Sequence, residues 1–327
     1  MVLLSVVLSV LQTNVVARLF GPRFAKMATE ADKVLSGHAI SRVFQSRLLG
    51  PGIYGLIQRV THLEHRMAFL LTLSLLLAIF YTVLSIVLEV LDRDPAERIL
   101  GMLSAWALST PLMLNAWLYL WDSIDMTIMT VFIATLLTGA RLRWLVLVIA
   151  LEAFNREASV MMGGGLILIG LLHLKDAKGG AFARNYIIAG GVLAVLSAAY
   201  SEMLRTLLYQ MEARTDLGYW TTNQQGAHFI VQSQFNTNWF SSVLRGNDPI
   251  GSFQFFLVIG FVAVIVAAWR RGDAWRKVSV VFGVLFLATS VFGIVYEWRI
   301  WLSFVPLAIL FLLDRPSKER MAALQHA

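Results

Sequence analysis

The chain has 327 residues, of which 58% are hydrophobic and 14% are charged. A soluble domain carries about a quarter of its residues as charged side chains, so this composition excludes a soluble globule and predicts that lipid covers much of the surface. The absence of cysteine excludes disulfides, thiolate metal sites and a cysteine nucleophile, and we interpret the net charge of +7 as basic loops at the membrane surface, with no nucleic-acid partner.

Apolar segments follow one another along the chain and predict an all-α, polytopic transmembrane bundle. Because about twenty apolar residues span the hydrocarbon core, we expect about eight or nine spans in a single transmembrane domain, residues 1–327. The predicted spans are Met1–Leu11 with a weaker extension to Phe20, Met67–Leu91, Ile99–Trp121 with a kink at Pro111, Ser123–Ala140, Trp144–Leu172, Tyr186–Leu208, Ser252–Trp269, Val278–Tyr296 and Ile300–Leu313. The first run lacks a basic start and a cleavage site, so we interpret it as an anchor.

Basic clusters between the spans set the predicted orientation. Positively charged loops are retained in the cytoplasm, and the clusters are Arg141 and Arg143; Lys175, Lys178 and Arg184; Arg270, Arg271, Arg276 and Lys277; and Arg315, Lys318 and Arg320. Alternation then places residues 21–66 outside as a first outer segment and residues 209–250 outside as a loop. The first outer segment is itself basic, against the rule, and an anionic substrate such as a lipid phosphate would account for that.

The apolar stretch 144–172 is too long for one perpendicular helix and short for two, and we expect an interrupted or re-entrant hairpin. Its middle holds Glu152, Asn155, Arg156 and Glu157. Ionisable groups inside membrane segments are costly and usually functional, so Arg156 and Glu157 are candidates for lining an aqueous site. Alternatively, Glu152 and Arg156 at i and i+4 neutralise each other, in a hairpin or in a single tilted helix.

Two further polar corners adjoin apolar runs on the predicted outer side. Asp122 and Asp125 open a span on one helix face, where they would cap the helix, act as a base or hold a divalent cation such as Mg²⁺ or Mn²⁺. Glu297 and Arg299 join two spans almost without a loop, as an interfacial ion pair or as a phosphate clamp.

The outer segments offer weaker candidates. Glu30 and Asp32 are acidic residues that would act as a general base if the first outer segment folds over the membrane. Residues 209–250 combine amide and aromatic side chains, which suit a sugar ring or an ordinary outer loop. His62 and His65 lack an evident third ligand, so no metal site made of protein ligands is predicted.

Four short elements in order resemble bacterial members of the GT-C glycosyltransferase-like superfamily: Arg47 to Pro51, the Asp122–Asp125 opening, Asn155 to Ser159, and Glu297 with Arg299. The resemblance implies a multi-span enzyme of the bacterial plasma membrane. Such an enzyme takes a sugar from a polyprenyl-phosphate or polyprenyl-diphosphate carrier and transfers it on the outer side. An acid in the first outer loop would deprotonate the acceptor, which here implies Glu30 or Asp32, while basic residues hold the carrier phosphate.

The leading hypothesis is therefore a membrane glycosyltransferase with a lipid-linked sugar donor, in which Arg47, Arg156 and Arg299 stabilise the phosphate. It predicts that these arginines and Asp122 meet in one outward cavity, and that Arg156→Ala abolishes transfer while the protein still folds. A polysaccharide polymerase or ligase would use similar groups. A transporter, a lipid flippase or a non-catalytic membrane partner is the alternative of a different class, since broken helices with polar centres are typical of transporters.

Overall fold

The computed structural model describes residues 1–38, 47–114, 118–174, 180–207, 249–292 and 298–314, together with residues 238, 241–243 and 245. The main elements in the long ranges are helices. They are α1 (Val2–Leu35), α2 (Leu49–Thr61), α3 (His65–Val90), α4 (Pro95–Met113), α5 (Leu120–Leu137), α6 (Leu142–Ala153), α7 (Ala158–His173), α8 (Gly180–Leu207), α9 (Pro249–Arg270), α10 (Asp273–Phe292), a 3-10 helix (Trp298–Phe304) and α11 (Val305–Leu313).

Four of these helices are long and apolar enough to cross a membrane. The four segments are Val2–Leu19, His65–Val90, Leu120–Leu137 and Gly180–Leu204. Three shorter apolar helical segments are Ala158–His173, Phe255–Arg270 and Arg299–Leu313. The predicted all-helical class with membrane-spanning helices is thus confirmed, while the described residues contain four full-length candidates rather than eight or nine.

The first helix is longer than the apolar run that predicted it. α1 has 34 residues, so it is about 51 Å long at 1.5 Å per residue. Phe24, Met27, Ala28 and Ala31 recur at helical spacing and are buried, which explains why the helix continues into the predicted first outer segment.

The predicted span Ile99–Trp121 is wrong at its end. α4 contains Pro111 and ends at Met113, and the backbone at Tyr119 is extended. Trp121 instead lies in the first turn of α5.

The interrupted hairpin predicted at 144–172 is present as two short helices. α6 ends at Ala153 and α7 begins at Ala158, so residues 154–157 form the bend. α6 has 12 residues and is about 18 Å long, so it is shorter than α5, whose 18 residues extend about 27 Å.

α5 and α11 occupy the interior of the bundle. Almost every α5 residue is buried, including Asp122 and Asp125, and most of α11 is buried as well. α11 contacts α4, α5 and α9, so the chain's last described helix is enclosed by earlier ones.

α7 and α8 approach each other closely through glycines. A Cβ added at Gly190 would lie 2.5 Å from the carbonyl oxygen of Gly163 and 2.9 Å from the backbone nitrogen of Ile167. One added at the neighbouring Gly191 meets nothing within 4 Å. Small residues of this kind let two membrane helices come together.

We expect Gly190→Ala to lower the free energy of unfolding by about 1–3 kcal/mol, because the backbones must separate to admit the methyl group. Gly191→Ala is the matched control, and we expect it to raise stability by about 0.5–1 kcal/mol through its higher helix propensity. Thermal unfolding of both variants in detergent measures the difference. Equal midpoints for the two variants would contradict the close approach.

Two ends of the bundle can be defined by their polar contacts. At the Asp314 end, the Asp314 carboxylate accepts from Arg93 Nη2 at 3.2 Å and from Trp275 Nε1 at 2.8 Å, and it pairs with Arg271 Nε at 3.2 Å. This brings together the chain after α3, the start of α10 and the end of α11. The opposite end, called the Asp122 end, holds the start of α5.

Candidate functional site

Seven charged side chains from five chain segments meet at the Asp122 end. We call this group the ion cluster, and its members are Arg47, Asp122, Asp125, Glu152, Arg156, Glu157 and Arg299. The segments are the chain before α2, the start of α5, the end of α6, the α6–α7 bend and the 3-10 helix. Charged groups buried in a protein are almost always paired, and these pairs cross long stretches of sequence.

The start of α5 orients the two aspartates. The backbone N–H of Tyr119 donates to Asp122 Oδ2 at 3.0 Å, so Asp122 takes part in capping α5 as one sequence-based alternative expected. Asp125 follows one turn later on the same face. Both carboxylates are fully buried and are directed into the bundle.

The α6–α7 bend brings Arg156 to these aspartates. Asn155 Nδ2 donates to the Trp121 carbonyl oxygen at 3.1 Å and so ties the bend to α5. Arg156 Nη1 then lies 2.9 Å from Asp125 Oδ2 and 3.5 Å from Asp122 Oδ1. One guanidinium therefore neutralises two buried carboxylates.

The alternative in which Glu152 and Arg156 neutralise each other as an i, i+4 helical pair is wrong. α6 ends at Ala153, so Arg156 lies outside the helix and its guanidinium is directed at α5. Within the described residues, Glu152 has no ion-pair partner; its carboxyl instead accepts from Asn155 Nδ2 at 3.3 Å.

Arg47 and Arg299 complete the cluster from two sides. Arg47 Nη2 lies 3.2 Å from Glu157 Oε2, and Arg299 Nη1 lies 3.5 Å from Asp122 Oδ2. The backbone N–H of Leu49 also donates to the Phe154 carbonyl oxygen at 3.2 Å, which holds the segment after Arg47 against the bend.

A stacked aromatic pair separates these two arginines. The rings of Tyr119 and Trp121 stack with centroids 4.3 Å apart. Arg299 Cζ lies 4.7 Å from the Tyr119 centroid and Arg47 Cζ lies 5.2 Å from the Trp121 centroid. Cation–π contacts of this kind are strongest where water is excluded, so the pair fixes the two guanidinium groups in place.

The cluster contains four carboxyl groups and three guanidinium groups. Asp122, Asp125 and Glu157 each pair with an arginine, whereas the Glu152 carboxyl accepts from Asn155 Nδ2. A proton on Glu152 would leave three anions against three cations, which is the balance that burial favours. Ser303 donates a further hydrogen bond to Asp125.

The members of the ion cluster differ in exposure. The Asp122, Asp125 and Glu152 side chains are fully buried, whereas 14% of the Arg156 side chain and 31% of the Glu157 side chain are exposed. The predicted outward cavity does not coincide with either of the two described cavities, which both lie near the Asp314 end. Glu157 is the most exposed member of the ion cluster.

Other predicted site residues lie elsewhere. Asp32 Oδ2 is 2.8 Å from His65 Nδ1 and 3.4 Å from the hydroxyl of Tyr54. Burial raises the pKa of the Tyr54 hydroxyl, and the negative charge of the nearby Asp32 carboxylate raises it further by a smaller amount. Glu30 pairs with Lys33 at 3.4 Å. In the described part of the chain, neither acid contacts the ion cluster.

Several predictions fall on parts of the chain that are not described. Glu297 and most of the predicted outer loop 209–250 lie outside the described residues. The sequence analysis did not single out Ser303 or the Tyr119–Trp121 stack. Ser303 lies four residues after Arg299, and Tyr119 lies three residues before Asp122. A search for polar and aromatic residues at helical spacing from the charged residues could therefore have identified both.

A divalent cation was one of the alternatives for Asp122 and Asp125 among the described residues. The described residues contain no group of three histidine or acidic residues placed to hold a metal ion. Arg156 contacts both Asp122 and Asp125, so a guanidinium occupies the position where Mg²⁺ or Mn²⁺ was expected. The chain matches no protein-family model, no curated protein and no solved structure.

Proposed function

We propose that the chain is a membrane glycosyltransferase that moves a sugar from a polyprenyl-phosphate or polyprenyl-diphosphate carrier to an acceptor on the outer face of a bacterial plasma membrane. One observation carries the proposal: Arg47, Arg156 and Arg299 meet at one end of the bundle beside a partly exposed carboxylate. Planar guanidinium groups are the side chains best suited to phosphate oxygens.

The distribution of basic residues supports an outward-facing Asp122 end. Arg93, Arg271 and Lys277 lie at the opposite, Asp314 end, together with Arg141. Positive loops favour the cytoplasm. We further infer that α4, α9, α10, the α6–α7 hairpin and the 3-10 helix with α11 also enter the membrane, which gives the predicted eight or nine membrane segments.

Glu157 has a specific role in this proposal. It pairs with Arg47 and is the most exposed member of the ion cluster. An incoming phosphate would take its place at Arg47, because both are oxyanions that bind the same guanidinium donors. The displaced Glu157 carboxylate is then available as a base, whereas the buried Asp122 and Asp125 hold Arg156 in position.

The reaction that follows is a displacement at the anomeric carbon. The acceptor oxygen forms a bond to that carbon while the bond from the carbon to the phosphate oxygen breaks, and the acceptor proton passes to Glu157. The three arginines stabilise the charge that develops on the departing phosphate. Attack from the face opposite the phosphate inverts the anomeric configuration.

The test is retention of a polyprenyl phosphate by the purified protein, measured by native mass spectrometry against the matching polyprenol, which lacks the phosphate. We expect preferential retention of the phosphate by the wild type. Arg156→Lys keeps the charge but loses the fork geometry, and we expect it to weaken retention about tenfold.

Arg98→Lys is the matched control. The Arg98 side chain is 15% exposed, close to the 14% of Arg156, and it pairs with Glu89 away from the ion cluster. Its retention should equal that of the wild type. Equal binding of polyprenol and polyprenyl phosphate by the wild type would overturn the proposal. The chemical step is tested separately, by measuring transfer of labelled sugar from a polyprenyl-phosphate hexose to a membrane extract.

The buried Glu152 carboxyl, which has no ion-pair partner within the described residues, favours a second candidate, a proton-coupled transporter. A protonated carboxyl group in a broken membrane hairpin is typical of proton pathways. Proteoliposomes distinguish the two functions. A solute-dependent proton flux that Glu152→Gln abolishes would favour transport, whereas sugar transfer without proton flux would favour the enzyme.

A further inference from the structure

A second polar region lies far from the ion cluster, near the Asp314 end. Two cavities of about 350 Å³ each occur there, and Lys277 lines both. The first lies between the α5–α6 turn and α8, with Arg141 and Tyr186 in its wall. The second lies between α7 and the α9–α10 turn, with Trp269 and Arg276 in its wall. We call them together the paired cavities.

The paired cavities carry an excess of positive charge. Arg141, Arg276 and Lys277 line them, and Asp273 is the one acidic residue among the described lining residues. Asp273 pairs with Lys277 at 2.6 Å and with His173 at 3.4 Å. Because Asp273 offsets the charge of Lys277, the guanidinium groups of Arg141 and Arg276 give the paired cavities a net positive charge. The ion cluster, by contrast, has balanced charges.

Part of the wall of the second cavity is apolar and reaches the outer surface of the bundle. Leu172 and Trp269 line it and are 50% and 43% exposed. Arg276 Cζ lies 5.7 Å from the Trp269 centroid, which holds this guanidinium beside the apolar surface. A ligand with an anionic group and a hydrocarbon tail would satisfy both parts of the wall.

We propose that the paired cavities bind a phosphate group, and that the group is the headgroup phosphate of an anionic membrane lipid. Lys277 lines both cavities and would hold phosphate oxygens together with Arg141 in the first cavity and Arg276 in the second, where the acyl chains lie along Leu172 and Trp269. Basic pockets between helices on the cytoplasmic side are suited to such headgroups. This site is independent of the proposed glycosyl transfer, which uses the other end of the bundle.

The experiment uses the full chain in nanodiscs of phosphatidylcholine with phosphatidylglycerol. Native mass spectrometry counts the phosphatidylglycerol molecules that stay bound after release from the nanodisc. We expect Arg141→Gln and Arg276→Gln each to weaken retention about fivefold. Both side chains are exposed, so neither substitution opens a cavity in the core.

Arg59→Gln is the control, because Arg59 is an exposed arginine of α2 with the same change of charge. Retention by this variant should equal that of the wild type. A parallel arm adds inorganic phosphate: if it displaces phosphatidylglycerol at millimolar concentration, the ligand is a soluble phosphate and the lipid assignment fails. Equal retention by the wild type and both cavity variants would overturn the site itself.

Discussion

Arg156→Ala is expected to lower the free energy of unfolding by about 3–5 kcal/mol, because it leaves two buried carboxylates without their shared cation. Arg156 Nη1 contacts Asp122 and Asp125 at 3.5 and 2.9 Å, and both aspartates are fully buried. Thermal unfolding in detergent, followed by circular dichroism, measures the loss.

The comparison for this prediction is Arg98→Ala. Arg98 pairs with Glu89 at 2.8 Å, but 62% of the Glu89 side chain is exposed, so water replaces the lost partner. We expect a loss of about 1 kcal/mol or less in that variant. If both alanine variants unfold at the same temperature, the Arg156 pairs contribute no more than a surface ion pair and the ion cluster as described is incorrect.

This result would also change how the role of Arg156 in transfer is studied. From the sequence, the alanine variant was expected to fold and to lose only activity. The structure places Arg156 between two carboxylates of the core, so loss of activity in that variant would report misfolding as well as chemistry. The lysine variant keeps the charge and therefore separates the two effects.

Asp122→Asn and Glu152→Gln are expected to differ by several kcal/mol, although each replaces a fully buried carboxyl group by its amide. Asp122 lies near both Arg156 and Arg299, and its neutralisation leaves buried cations in excess, which costs about 3–5 kcal/mol. Glu152 accepts a hydrogen bond from Asn155 and has no ion-pair partner within the described residues. We therefore expect its replacement to cost less than about 1 kcal/mol.

Unfolding midpoints of the two amide variants, measured side by side at neutral pH, test the proposed balance of charge. A large loss of stability in Glu152→Gln together with a small loss in Asp122→Asn would show that the proton had been assigned to the wrong carboxyl group. A double-mutant cycle with Arg156→Met adds a second measure, because Asp122 should couple to Arg156 more strongly than Glu152 does.

The residues of the ion cluster could be singled out from the sequence because charged side chains are rare within apolar membrane segments, where burying them is costly. Arg156 within an apolar stretch and Asp122 at the start of one stand out for that reason. Their partners could not be read from spacing. The i, i+4 rule paired Arg156 with Glu152, yet the helix ends between them and tertiary contacts direct Arg156 to Asp125.

The boundaries of elements were less predictable than their existence. Hydropathy merged α4 with the start of α5 because most of the residues between them are also apolar, and the extended backbone at Tyr119 follows from the Asp122 cap rather than from composition. Glu30 and Asp32 were selected for their residue type in a basic segment. Glu30 pairs with Lys33 at i, i+3 within α1, whereas the contact of Asp32 with His65 depends on how α1 and α3 pack, which no local pattern encodes.

The central position of the 3-10 helix and α11 has a consequence for biogenesis. The chain leaves the ribosome from its N-terminus, so Arg156 reaches Asp125 after 31 further residues, whereas Ser303 arrives 178 residues after Asp125. The α5–α6 hairpin can thus neutralise its aspartates early, while the groove that receives α11 stays open until the segment that contains Ser303 has been synthesised. We expect nascent chains to need a membrane insertase that shields this groove, and truncated products to be degraded.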